Sequence, residues 1–134
     1  MGKKNIIIIV LLLLSLTTAY GLSMEIIFES PVLVFNKSVG KDWSFFYMLD
    51  GKRYGLSTRL LIPIPKEPIS VQVIAREEDS IPDIGYSTVV LDPLVLERGK
   101  ETYFNTIIKV VENGGRYAGN EAQWEIRFSI RIVE

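Results

Sequence analysis

A chain of 134 residues, 48% apolar and 23% charged, has the balance of one ordinary globular domain. It contains no cysteine and no histidine, which excludes disulfides, thiolate and imidazole metal sites, cysteine nucleophiles and a Ser-His-Asp triad. The remaining chemistry belongs to carboxylates, Lys, Arg, Ser, Thr and Tyr, so any bound metal would be a hard, oxygen-seeking one such as calcium.

Lys3 and Lys4 precede an unbroken apolar run over residues 6–14, followed by Thr17, Thr18, Ala19 and Gly21. A short positive start, an apolar core and small residues form the pattern of a secretory signal peptide. Ala19 and Gly21 set a cut before Leu22, with a cut after Ala19 as the alternative. An uncleaved N-terminal membrane anchor is the rival reading, but a spanning helix needs about 20 apolar residues, and Thr17 and Thr18 end this run early. Residues 1–21 are therefore expected to be a signal peptide, and 22–134 one exported domain, secreted or periplasmic. Without Lys3 and Lys4 the 15 basic residues fall to 13 against 16 acidic ones. No basic stripe survives, which removes the electrostatic case for nucleic acid.

Beyond the signal, short β-rich runs alternate with turns. Residues 24–28 and 32–35 are split by Ser30-Pro31, and proline cannot donate to a sheet ladder, so an edge or bend is expected there. The aromatic run 43–49 leads through Asp50-Gly51 into Lys52-Arg53-Tyr54, a hairpin signal because both turn positions take positive φ. Trp43, Phe45 and Tyr47 share one face and are expected in the core. Strands follow at 60–64, 69–75, 86–91 and 102–112, with Pro63, Pro65 and Pro68 stiffening one connection. In the last run, 123–133, Trp124, Ile126, Phe128, Ile130 and Ile132 alternate with Glu125, Arg127, Ser129 and Arg131. Period two gives one buried and one wet face, as in an antiparallel sheet. No segment of 22–134 carries a capped helical period. The expectation is an all-β, single antiparallel sandwich of seven or eight strands with Greek-key connections.

The segment 76–85 carries Glu77, Glu78, Asp79 and Asp83 between two strands. Like charges this close repel, so the loop gains from a cation or from full solvation. Calcium takes six to eight oxygens in irregular geometry, which a strand-connecting loop can supply. A strand, an acidic-x-acidic triplet, a short gap, then Asp-x-Gly and another strand resembles the third calcium loop of C2 domains. Glu77 and Asp79 match the flanking pair, with Glu77 where the family has aspartate, and Asp83-Ile84-Gly85 matches the end. The resemblance implies a C2-like sandwich with further ligands from an earlier loop, here 36–42, where Asp42 is the fourth candidate and Asn36 a further oxygen. Val39-Gly40-Lys41-Asp42-Trp43 is similar to a run in small exported bacterial β-sandwich proteins, which implies a fold and no activity. The same carboxylates also read as a solvated surface loop, with Asp83 capping a turn after Pro82.

Asn113-Gly114-Gly115 and Gly119-Asn120 resemble a phosphate loop in their glycines alone. The Gly-Lys-Ser/Thr ending is missing, so a connection between two strands is expected, with Arg116 and Tyr117 at its tip. Nothing brings paired carboxylates together for acid–base work, so no enzyme is expected. The leading expectation is an exported binding module, calcium-assisted through Glu77, Asp79, Asp83 and Asp42, meeting a protein or anionic surface; membrane contact is only what the C2 resemblance implies. The alternative is a metal-free, Ig-like interaction or structural domain.

Overall fold

The structure is a computed structural model that describes residues 21–134. The expected signal segment and its alternative anchor reading lie outside the described residues, apart from Gly21. Among the described residues no helix is long and apolar enough to cross a membrane.

Among the described residues nine strands form two antiparallel sheets, so the expected sandwich is present with slightly more strands than the seven or eight anticipated. The first sheet holds β1 (Ser23–Phe28), β2 (Val32–Asn36), β5 (Leu60–Pro63), β8 (Thr102–Val111) and β9 (Glu121–Val133). The second holds β3 (Trp43–Leu49), β4 (Lys52–Gly55), β6 (Ile69–Glu77) and β7 (Ile84–Leu91), in the order β4-β3-β6-β7. β4, the second arm of the expected Asp50-Gly51 hairpin, and β5, within the expected 60–64 run, are only four residues each.

The long β9 organises the first sheet. Along one edge β8 pairs with its residues 121–130. The other edge is shared end to end: β1 pairs with 128–133 and β2 with 122–125. Ser30-Pro31 breaks the chain between them, as the missing proline donor requires. Glu29 still donates from its backbone N to Arg127 O at 2.9 Å. The Asp50-Gly51 turn is also as expected. Their φ values are 50° and 75°, and Leu49 pairs with Lys52 across them, which suits the right-handed twist of the hairpin arms.

Alternation decides what is buried. From β9, Ile126, Phe128 and Ile130 are fully buried, while Trp124 and Ile132 pack partly buried against the core. From β6, Val71, Val73 and Ala75 point inward. Phe28 stacks on Tyr47 at 4.0 Å and meets Phe128 at 5.1 Å, joining the two sheets. Trp43 and Phe45 are half-buried, not fully so, and close one end of the sandwich around Trp124. The Tyr47 hydroxyl is buried with no partner among the described residues, and burial, with Tyr54 beside it, pushes its pKa up to about 12.

Ordinary alternation fails at Glu25, which is fully buried on the face of β1 opposite Met24 and Ile26. Arg59 and Arg131 lie over it, with Nε atoms 2.6 and 2.7 Å from its oxygens. Burial alone would raise its pKa, but the two guanidinium groups outweigh that and hold it below the usual value. The two sheets come closest at β7 and β8. A β-carbon on Gly85 would overlap the carbonyl oxygen of Lys109, and Ser87 and Thr106 share a hydroxyl hydrogen bond nearby.

Candidate metal centre

The inward positions of β6 run Val71, Val73, Ala75 and then Glu77, because side chains two apart share a face. The last inward place is thus filled by a carboxylate. Its partner across the hairpin is another. Arg76 pairs with Ile84, and the next rung is the bond from Glu77 N to Asp83 O, 2.9 Å. Directly opposed residues on one face are close neighbours, and like charges there are destabilising. Both side chains are nonetheless shut away from water, Glu77 at 3% and Asp83 at 1% exposure. Asp79 joins them from the connecting loop, 78–83. Its Oδ1 accepts from Ile81 N at 2.8 Å, which shapes the turn. One carboxylate oxygen from each of Glu77, Asp79 and Asp83 lies within 4.8 Å of the others.

The hydrogen bonding inside this group is incomplete. Asp83 Oδ1 accepts from Asn113 N at 3.0 Å. Asp83 Oδ2 and Glu77 Oε2 are buried and meet no donor among the described residues. A buried polar atom without a partner costs about 1–3 kcal/mol, more if charged. The titration behaviour has the same origin. Burial pushes the Glu77 carboxyl up to about 7, with the neighbouring Asp79 carboxylate and then the Asp83 charge adding to it. Either a shared proton or a cation would relieve such a group. An all-oxygen, carboxylate-rich set suits a hard divalent ion, and calcium tolerates its irregular shape best.

Backbone packing encloses the group on one side. Gly40, at φ 138°, stands against the Glu77 carboxyl, which fills the space a β-carbon would need. The 36–40 turn is held by Asn36, whose Oδ1 accepts from Val39 N at 2.9 Å and whose Nδ2 donates to Gly40 O at 2.6 Å. On the open side is a cavity of about 630 Å³ that Asp79 and Glu112 line together with Lys41 and Arg116.

Three of the four expected ligands are therefore brought together, and Asp42 is not among them. It acts through its backbone, accepting from Glu78 N at 2.7 Å, while its side chain is exposed. Asn36 spends its amide on the turn. Glu78 alternates outward and bonds Ser44 and Arg76. Sequence reasoning missed Glu112 and the part played by Gly40. Glu112 lies 35 positions from Glu77, so no local spacing could connect them; only its place at the end of a strand, before Asn113-Gly114-Gly115, marks it. No family model matches the chain, and no curated protein matches it.

Proposed function

We propose that this chain is an exported, non-enzymatic binding module whose Glu77, Asp79 and Asp83 hold a calcium ion at one end of the sandwich. The carrying observation is that Glu77 Oε2 and Asp83 Oδ2 are buried without a donor among the described residues, on two of three carboxylates whose oxygens come within 4.8 Å of one another. Folding accepts the cost of placing them there, and a divalent cation offsets it. Export rests on the residue pattern of 1–21. A binding role suits loops gathered beside an open cavity on a rigid sandwich, and the absence of His and Cys leaves few groups suited to acid–base or nucleophilic work.

The test is thermal unfolding of the purified protein in EDTA, in magnesium and in calcium. A ligand specific to the folded state stabilises by about 2.7 kcal/mol at a hundredfold excess over its dissociation constant. A rise in Tm with calcium, smaller with magnesium and lost in the Glu77→Ala/Asp79→Ala/Asp83→Ala variant, supports the reading. Equal Tm in EDTA and millimolar calcium removes it.

A second reading is favoured by one observation. All five residues of β2 are exposed, including Val32, Leu33, Val34 and Phe35, and among the described residues one side of the strand has no neighbour. An unprotected apolar edge is a place where another strand can add. A metal-free interaction domain working through β2 would be indifferent to chelators and would lose its partner on Val34→Lys.

A further inference from the structure

The cluster has a fourth acidic neighbour, supplied by a part of the chain remote from the other three. β8 ends at Val111, and Glu112 follows at the neck of the loop that leads to β9. Two backbone bonds hold that neck: Glu112 N to Asn120 O at 2.9 Å, and Gly119 N to Glu112 O at 2.8 Å. Glu112 is half-buried and lines the same cavity as Asp79, and its neighbour Asn113 donates to Asp83 Oδ1 at 3.0 Å. Asp83 is thus held from this loop by the Asn113 amide, one residue beyond Glu112.

We infer that Glu112 is the fourth carboxylate donor of the cation site, so that loading the site ties the 113–120 loop to the 78–83 loop and sets the shape of the cavity between them. This rests on the calcium reading above. Acidic residues in proximity are no site by themselves. The independent observation is the pair of donorless, buried oxygens on Glu77 and Asp83, both more than nine-tenths buried.

Coordination chemistry favours the extension. Asp83 Oδ1 is committed to Asn113, which leaves Oδ2 as its free ligand atom. Three carboxylates used mainly through single oxygens fall short of the six to eight that calcium takes. Glu112 would add up to two, from a neck already held by backbone hydrogen bonds. The mechanical consequence follows from the lining. Asp79 and Glu112 border the 630 Å³ cavity from its two sides, and Gly114, Gly115, Arg116 and Tyr117 build the wall attached to Glu112. A cation bound by both carboxylates would draw these sides together and fix where Arg116 and Tyr117 stand.

The experiment is a calcium titration of the full-length chain followed by backbone amide NMR, with magnesium as control, for wild type, Asp79→Asn and Glu112→Gln. In the wild type, calcium should shift the amides of 77–83 and of 113–119 together, with one dissociation constant. Glu112→Gln, close to isosteric, should weaken calcium by about tenfold, since charge count tunes such sites. It should also leave the 113–119 amides unresponsive while 77–83 still shift. Its amide spectrum without calcium reports that the fold is kept. Wild-type affinity and wild-type loop shifts in Glu112→Gln overturn the role of Glu112 alone, provided Asp79→Asn has lost binding. No calcium response in the wild type overturns the cation site and this inference with it.

Discussion

Gly40 and Glu77 fit together as backbone against carboxylate, with the Glu77 side chain occupying the volume that a β-carbon on residue 40 would fill. The contact joins the 36–42 segment to the end of β6. It also explains why one wall of the acidic group is backbone and offers no side chain to neutralise it.

Gly40→Ala should therefore act on the site more than on the fold. The new methyl must displace the Glu77 carboxyl, and the positive φ adds strain for any residue with a β-carbon. The expected cost is roughly 2 kcal/mol in urea unfolding without cation. Calcium stabilisation should be lost even though every carboxylate is still present. Unchanged calcium stabilisation in Gly40→Ala would show that the position of Glu77 is immaterial to binding.

The pH dependence of stability has a definite sign. Glu77 titrates near 7 in the folded protein against an ordinary value of 4.5, so the folded chain holds this proton more tightly than the unfolded one. Stability should fall as pH rises from about 4.5 through 7, by on the order of 3 kcal/mol, when no cation is present. Glu25 works in the opposite direction. Its carboxyl is held below 4.5 by Arg59 and Arg131 once burial has been outweighed, so its contribution is present above 4.5 and is lost in acid. Tm measured in EDTA from pH 4.5 to 8 should decline for the wild type and much less for Glu77→Gln. A flat wild-type curve, or one parallel to that of the variant, is the contrary result.

The Glu25 pairing carries a separate prediction. Arg59 and Arg131 are themselves largely exposed, but the carboxylate they cover is fully buried. Replacing both arginines by alanine leaves a buried charge unpaired, with an expected loss of about 3–5 kcal/mol. Glu25→Gln should cost clearly less, because a neutral amide needs no counter-charge. Chemical denaturation of the three proteins gives the order. A double arginine variant no less stable than Glu25→Gln would mean that the ion pairs contribute little.

Apolar runs between turn residues determined most of this fold in advance. The strict alternation of 123–133 fixed which face of β9 is buried, since a one-residue slip would reverse every side chain. Asp50-Gly51 marked a hairpin because its backbone conformation is a local property. The order of charges in 76–85 brought Glu77, Asp79 and Asp83 into view, again because they lie within one hairpin. Tertiary structure decided the rest. Asp50-Gly51 and the 60–64 run marked short β4 and β5, but their places against β3 and β1 came from sheet assembly. Asp42 matched a spacing, yet its backbone and not its carboxylate meets the β6 end. Glu25 sits at what reads as a wet position and is buried by arginines 34 and 106 residues away. Glu112 and Gly40 reach the acidic group only through the packing of separate loops. Local pattern specifies what a strand or turn must do; which distant carboxylates share a buried space depends on how the two sheets are stacked, and no spacing along the chain encodes that.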